Sequence, residues 1–191
     1  MSILRERDPP QGLAGAAPAL QSYYRYYPII TSGRSDDVGI ASTADLLVLK
    51  QVEVVHTITI DRLILIKTAN GTSTSFILGA YPDNGDQPDG ASPILDTGRT
   101  LVGAVGNWEK GEVAPVPASL QLPLGLYWFA LVTDGTLELR ADNPGALRGG
   151  TVFQRQAALG AYPVNLPDPC PATVANVNNS AVLWMRVASS P

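Results

Sequence analysis

The densest group of potentially reactive side chains is a run of three aspartates, Asp83, Asp86 and Asp89, in the stretch YPDNGDQPDG (81–90). Clustered carboxylates can coordinate Ca²⁺ or act as general acids and bases. A calcium loop of the EF-hand type needs oxygen ligands at alternate positions and a bidentate Glu at the twelfth. The twelfth residue counted from Asp83 is Ile94, so the spacing does not fit, although a calcium site of another kind stays open.

The same stretch is rich in residues that form turns. Asp and Asn side chains bond their own backbone in Asx turns, Gly supplies positive φ, and Pro presets φ at the second position of a turn. The letters DNG followed by QPDG therefore predict two successive turns between two strands. Because no base or nucleophile stands nearby in the sequence, we favour this structural interpretation.

Other candidates for chemistry are few. His56 is the only histidine, so a Ser–His–Asp triad would have to use it, and no serine stands in a glycine elbow. Its place in a run of Val, Thr and Ile favours a half-buried strand residue. The segment GALRGG (145–150) lacks the Lys-Ser/Thr of a P-loop. We predict a non-enzymatic protein with no catalytic residue and no cofactor, and a metal only if the aspartates bind one.

Aromatic residues indicate contact surfaces. Trp128 and Trp184 stand in apolar segments and are predicted to be core, whereas Trp108 stands in the polar segment VGNWEKGE and is predicted to be exposed. Four tyrosines crowd into residues 23–27. Tyr offers a large amphipathic contact area and is enriched at interfaces, although these four could instead cover their own domain. The candidate interface residues are Tyr23, Tyr24, Tyr26, Tyr27 and Trp108.

Composition limits the partners. The 191 residues carry a net charge of −4, and the 13 Lys and Arg residues are scattered singly, which argues against a nucleic-acid partner. The single cysteine, Cys170, cannot form an intrachain disulfide and excludes a multi-Cys zinc site. No apolar run reaches the ~18 residues of a membrane span. The first residues, MSILRERDPPQG, lack the apolar core of a signal peptide.

The elements that position these residues are predicted to be strands. Segment 125–135 alternates apolar residues on both faces, which predicts a central strand between two layers. Asp134-Gly135 after it predicts a hairpin leading into TLELRAD (136–142). Within residues 44–69, isoleucines at alternate positions predict a strand with one buried face. These isoleucines are Ile58, Ile60, Ile64 and Ile66.

The spacing of the strands predicts the fold class. Short strands separated by turn signals every roughly ten to fifteen residues are typical of a sandwich or jelly roll. We predict an all-β, jelly-roll-like antiparallel β-sandwich over residues 41–191. Residues 1–40 show no sustained period and are rich in Ala, Pro and Tyr. They are predicted to form an extended N-terminal arm that becomes ordered on another surface.

Three segments resemble, in this order, a pattern of virion proteins from tailed bacteriophages: HTITIDRLILIKTA, SFILGAYPDNGDQPDGASPILDTGRTL and LPLGLYWFALVTDG. The later segment YPVNLPDPCPA is similar to that pattern's Pro-rich closing loop. The resemblance spans about residues 44–190, and its most specific parts are YPDNG (81–85), DTG (96–98) and GLYW (125–128). It implies a trimeric jelly-roll or β-sandwich module on a head or tail appendage, with a structural role.

The resemblance leaves the position on the virion open. The expected role is a capsid decoration, cement or head-spike protein whose arm binds the major capsid protein or other virion subunits. The alternative is a tail-fibre or receptor-binding tip, with Trp108 or the acidic turns facing a host surface glycan. An enzyme that degrades cell-wall polysaccharide is the third interpretation. In the first two cases the protein would reside in the virion after synthesis in the host cytoplasm.

Overall fold

The computed structural model describes residues 25–29, 38–54, 57–69, 71–102, 110–113, 117–142, 154–175, 180–181 and 183–189. Within these residues the chain forms β-strands and no α-helix, and every strand pairing is antiparallel, which confirms the all-β class. The strands are β1 (Arg25–Ile29), β2 (Val38–Ala41), β3 (Leu46–Val54), β4 (Ile58–Ala69), β5 (Ser75–Pro82), β6 (Leu95–Asp96), β7 (Thr100–Leu101), β8 (Lys110–Val113), β9 (Leu120–Leu122), β10 (Gly125–Thr133), β11 (Glu138–Asp142), β12 (Gln154–Ala158), β13 (Val174–Ala175), β14 (Ser180–Ala181) and β15 (Leu183–Ser189).

The strands form two sheets. The first sheet has the order β1-β15-β4-β11-β14, with β2 beside β11 and with β8 and β9 beside β4. The second sheet has the order β13-β12-β3-β10-β5-β6, with β7 beside β5. One apolar cluster, which we call the inner cluster, draws side chains from both sheets, including Ile60 of β4 and Phe76 and Phe129 of the second sheet. The two sheets therefore pack face to face.

β10 is the central strand of the second sheet, between β3 and β5. Phe129 and Leu131 enter the inner cluster, whereas Trp128 and Ala130 enter a second apolar cluster on the opposite face, the outer cluster. The prediction of a central strand with two apolar faces is confirmed. Trp128 is fully buried there, as the sequence predicted for this tryptophan.

Residues 44–69 form two strands, β3 and β4, which lie in different sheets. In β4, Ile60 and Leu63 both lie in the inner cluster, whereas Ile64 is buried outside it. The pairing of β4 with β15 shifts around Asp61, and an extra residue moves all later side chains to the opposite face. The prediction that these isoleucines share one face is therefore wrong at Ile64, and the side chain of Ile66 lies outside the described residues.

Asp134 and Gly135 do not close a hairpin, because β10 lies in the second sheet and β11 in the first. The predicted hairpin is therefore wrong. A Cβ atom on Gly135 would come within 2.8 Å of the backbone N of Ser73. The turn at Asp134 and Gly135 is therefore packed against the connection between β4 and β5. At this turn the chain passes from the second sheet to the first.

The outer cluster is covered by residues 159–173, which we call the covering segment. Its Leu166 and Cys170 side chains pack into the outer cluster. The hydroxyl of Tyr81, on β5, donates a 2.8 Å hydrogen bond to the carbonyl oxygen of Pro167. The second sheet is therefore enclosed on both faces, by the first sheet and by a loop without regular structure.

Part of the predicted arm is paired within the sheets. β1 runs antiparallel to β15, and β2 runs antiparallel to β11. Residues 1–24 and 30–37 lie outside the described residues. The division into an arm and a sandwich at residue 40 stays a prediction, and β1 is the first segment of the chain whose pairing is described.

Candidate functional site

Asp83 begins the loop between β5 and β6, directly after Pro82. Its Oδ1 accepts hydrogen bonds from Trp128 Nε1 at 2.6 Å and from Gln51 Nε2 at 3.4 Å. Its Oδ2 accepts a 3.0 Å hydrogen bond from the backbone N of Asp86. The carboxylate thus joins its own turn to β10 and β3, and both of its oxygens are used for this purpose.

Asp89, at the other end of the same loop, binds the end of the covering segment. Its Oδ2 accepts a 3.1 Å hydrogen bond from the backbone N of Thr173, and its Oδ1 accepts one from the Thr173 hydroxyl. The guanidinium of Arg155, on β12, donates to the carbonyl oxygen of Thr173 at 2.9 Å. This aspartate therefore fastens the loop to the covering segment and, through it, to β12.

The three aspartates do not converge on one point. In the part of the chain that the structure describes, no three His, Cys, Asp or Glu side chains form a group that could hold a metal ion. The local backbone instead forms the predicted turns: Asn84 N donates to Gln87 O at 2.7 Å, and Gly85 and Gly90 adopt φ of 71° and 76°. The turn interpretation is confirmed for this loop.

Sequence reasoning missed one heavily bonded carboxylate, Asp134. It accepts five hydrogen bonds from Ser73 and Thr74, which lie between β4 and β5, and from Ser75, the first residue of β5; two of the five come from backbone N–H groups. The donors are Ser73 Oγ, Thr74 N, Thr74 Oγ1, Ser75 N and Ser75 Oγ. A Ser-Thr-Ser run before a strand was the available sequence signal, but nothing local connects it with a residue so far along the chain.

These bonds set the charge state of Asp134. Partial burial alone would raise its pKa, but hydrogen bonds from Thr74, Ser73 and Ser75 outweigh burial and hold the pKa far below its usual value. The carboxylate is therefore ionised at neutral pH. A carboxylate that must stay charged and fully bonded serves as an anchor and is a poor general acid.

Asp96 also connects its own turn to a remote segment of the chain. Its Oδ1 accepts from Gly98 N at 2.7 Å, and its Oδ2 accepts from Leu166 N at 2.8 Å. Leu78 N donates to Thr97 Oγ1 at 2.9 Å in the same turn. Gly98 has φ of 59°, the left-handed conformation that glycine adopts most easily. The DTG turn thus binds both β5 and the covering segment.

The titratable groups of the outer cluster are held neutral. Burial, together with the charge of Asp89, raises the pKa of the Cys170 thiol to about 12, against a smaller opposing effect of Arg155. Burial is also the main cause that raises the pKa of Tyr81. A thiol must ionise to become a nucleophile, so Cys170 serves as an apolar packing residue at neutral pH.

Two apolar side chains near the start of β10 are exposed to solvent. Leu124, between β9 and β10, is 70% exposed, and Leu126 is 37% exposed. The carbonyl oxygen of Leu126 accepts a 3.2 Å hydrogen bond from Asp83 N. These leucines therefore lie beside the acidic loop, where Asp86 is also exposed.

The predicted interface residues fall largely beyond the description. Tyr23, Tyr24 and Trp108 lie outside the described residues. Tyr26 and Tyr27 stand in β1, opposite Arg186 and Met185 of β15, and only their backbone is described. Their role at an interface stays a prediction. His56 also lies outside the described residues.

Comparison with known proteins adds no family. Neither a scan against protein-family models nor a search of the curated proteins finds a match to this chain. No helix in the described part of the chain is long and apolar enough to cross a membrane. The chemistry of the site therefore rests on its geometry, in which carboxylates bind backbone N–H groups and hydroxyls of remote loops.

Proposed function

We propose that this chain is a non-enzymatic structural protein of a tailed-bacteriophage virion, with a β-sandwich of the jelly-roll type. Its favoured role is capsid decoration, cementing or a head spike, with attachment through the N-terminal arm (1–40) to the major capsid protein or another virion subunit. The protein would act by contact and would reside in the virion. A homotrimer is the proposed assembly.

One observation carries this proposal. The stretches most specific to the phage-like pattern are joined to one another and to its closing loop. Asp83 of YPDNG binds Trp128 of GLYW at 2.6 Å, and Tyr81 of YPDNG binds Pro167 of the closing loop at 2.8 Å. Asp96 of DTG binds Leu166 of the same loop at 2.8 Å. The residues of the pattern thus hold the covering segment on the second sheet. This supports a role of the pattern in the structure of the protein and not in catalysis.

The chemistry of the anchors supports a non-enzymatic role. A general acid or base needs a proton that it can exchange near neutral pH. Asp134 is held ionised by its hydrogen-bond donors, and Cys170 and Tyr81 are held neutral by burial. These groups serve as fixed donors, acceptors and packing surfaces.

Attachment can be tested with a truncation chosen from the strand pairing. Removing residues 1–24 leaves β1 intact beside β15, whereas removing residues 1–40 would also delete β1 and most of β2. We expect the protein without residues 1–24 to stay folded by circular dichroism and to lose binding to capsids that lack this protein. A double substitution, Tyr23→Ala with Tyr24→Ala, should weaken the same binding. The substitution Asp86→Asn, at an exposed loop residue, serves as the control.

The number of bound copies separates the possible outcomes. Copies that count in hundreds per capsid support decoration or cementing, because such proteins follow the repeated lattice of the shell. Normal capsid binding by the truncated protein would overturn the proposed attachment through the N-terminal arm. Release of reducing sugar from host cell-wall polysaccharide would overturn the non-enzymatic role. Light scattering on the isolated protein measures the oligomer, and a monomer would contradict the trimer.

The second candidate function is a tail-fibre or receptor-binding tip. The exposed Leu124 and Leu126 beside the acidic loop favour it, because neighbouring exposed apolar side chains are typical of contact sites. Under this alternative the isolated protein binds host cells, and a virion carries only a few dozen copies or fewer. The substitution Leu124→Ser would then weaken host-cell binding and leave binding to capsids unchanged.

A further inference from the structure

The sequence contains two Asn-Gly pairs, Asn70-Gly71 and Asn84-Gly85. Asparagine followed by glycine is the pair most prone to spontaneous deamidation, because glycine has no Cβ to hinder attack by its own backbone nitrogen. The two pairs differ in what surrounds the glycine. We propose that Asn84 is a site of spontaneous deamidation and that Asn70 is protected from the same reaction.

The reaction requires only water. The deprotonated backbone N of Gly85 attacks Cγ of Asn84, so that an N–Cγ bond forms, the Cγ–Nδ2 bond breaks, and ammonia leaves with the protons. Water then opens the resulting cyclic imide at either carbonyl. Opening of the bond between Gly85 N and Cγ gives aspartate, and opening of the bond to the main-chain carbonyl carbon gives isoaspartate. Nothing is oxidised or reduced.

Gly85 is free to take part in this reaction. It is exposed, and a Cβ atom built on it would meet nothing within 4 Å. Its backbone N–H makes no hydrogen bond with the described residues. The nitrogen can therefore lose its proton to solvent, and ring closure breaks one side-chain hydrogen bond, from Asn84 Nδ2 to the carbonyl oxygen of Asp89.

Gly71 is held by its neighbours. A Cβ atom on it would come within 2.0 Å of the carbonyl oxygen of Thr136. The following residue, Thr72, is joined to Thr136 by three hydrogen bonds. Thr72 N donates to Thr136 Oγ1 at 3.2 Å, Thr136 N donates to Thr72 Oγ1 at 3.0 Å, and the two hydroxyls are bonded to each other at 3.0 Å. Closing an imide ring onto the nitrogen of Gly71 would require movement of a glycine that these contacts hold in place. Conversion of Asn70, which itself lies outside the described residues, should therefore be slow.

Deamidation of Asn84 would change the acidic loop. Its Nδ2 donates a 2.9 Å hydrogen bond to the carbonyl oxygen of Asp89 and so closes the turn. A carboxylate has no hydrogen to donate, so two acceptors would face each other after the reaction. The product also adds a negative charge between Asp83 and Asp86. We therefore expect the modified loop to hold Asp89, and with it the end of the covering segment, less firmly.

The test is incubation of the full-length protein at mildly alkaline pH, followed by proteolysis and mass spectrometry of the two Asn-Gly peptides. We expect the peptide with Asn84 to convert to aspartate and isoaspartate several-fold faster than the peptide with Asn70. After denaturation in urea the two rates should become similar, because the protection of Asn70 depends on the fold. Asn84→Gln keeps an amide but disfavours ring closure and serves as the blocked control.

The consequence has a separate readout. Asn84→Asp, which reproduces one product, should unfold at a lower temperature than Asn84→Gln and should exchange the backbone hydrogen of Thr173 with solvent faster. Equal conversion of the two asparagines in the folded protein, or faster conversion of Asn70, would overturn the proposed site. Equal melting temperatures and equal exchange in the two variants would overturn the proposed effect on the loop.

Discussion

Replacement of Asp134 should lower the free energy of unfolding, although it changes no residue of the apolar core. Asp134 lies in the connection between the two sheets and accepts hydrogen bonds from three consecutive residues on the β4–β5 side. Ser75 is 2% exposed, and both its backbone N–H and its hydroxyl donate to Asp134. Removal of the carboxylate therefore leaves these two donors of the buried Ser75 without their acceptor.

The magnitude follows from these donors. A buried donor without a partner costs about 1–3 kcal/mol, and Ser75 supplies two of them. The hydroxyl of Ser73 is counted out, because it has a second acceptor in the carbonyl oxygen of Ser75 at 2.8 Å. We therefore expect Asp134→Ala to lower the free energy of unfolding by about 2–6 kcal/mol. Asp134→Asn keeps one oxygen and should lower it by about 1–2 kcal/mol, because bonds to a neutral acceptor are weaker.

The assay is urea unfolding at neutral pH, followed by tryptophan fluorescence. Asp86→Asn is the matched control for Asp134→Asn, since it makes the same chemical change at an exposed loop position. Its free energy of unfolding should stay within about 0.5 kcal/mol of the unmodified protein. If Asp134→Ala unfolds with the same free energy as this control, Asp134 is not the anchor that its contacts indicate.

The pH dependence provides a further check. Because the pKa of Asp134 is lowered in the folded protein, its contribution to stability is complete above the unfolded value of 3.8. The contribution is lost as the pH falls from that value towards the lower folded pKa. The difference in stability between the unmodified protein and Asp134→Asn should therefore be constant near neutral pH and should shrink below about pH 4.

Three further substitutions and one labelling experiment test other parts of the structure. Gly79→Ala should prevent normal folding or lower the free energy of unfolding by more than about 3 kcal/mol, because its Cβ would lie 2.2 Å from the carbonyl oxygen of Leu95. Gly90→Ala, where the space is open but φ is 76°, should cost only about 1–2 kcal/mol for its left-handed backbone. Thermal unfolding measures both variants. Trp128→Phe keeps an aromatic ring but removes the 2.6 Å bond to Asp83 and should cost about 1.5–3 kcal/mol in urea unfolding. The Cys170 thiol should resist a thiol reagent at neutral pH in the folded protein and react fully in denaturant, and fast labelling of the native protein would contradict its burial.

The features predicted from the sequence are those that local residues determine. In β10 the apolar residues alternate on both faces, so its central position could be predicted from nine residues alone. The turns around Asp83 and Gly85 follow from residues that favour positive φ and side-chain-to-backbone bonds within the same loop. The all-β class follows from many such short segments taken together.

The features that the sequence did not predict depend on residues far apart in the chain. In the sequence, the bulge at Asp61 is visible only because the apolar residues of β4 that enter the inner cluster change from even-numbered to odd-numbered positions. A regular strand would keep them all even or all odd. Asp134 and Gly135 form a common hairpin signal, but their partners between β4 and β5 precede them by about sixty residues. Tyr81 and Pro167 are 86 residues apart, so nothing local showed that the Pro-rich closing loop covers the second sheet.

The aspartates of this protein show how a structural anchor can resemble a ligand site in sequence. Loops between antiparallel strands leave backbone N–H groups without a strand partner, and such groups must be bonded when they are buried. Here carboxylates supply the acceptors for the N–H groups of Asp86, Thr173, Gly98, Leu166, Thr74 and Ser75. An oxygen that accepts bonds from its own chain is poorly placed to coordinate an ion or exchange a proton with a substrate. Substitution of these aspartates should therefore be detected first as a loss of stability.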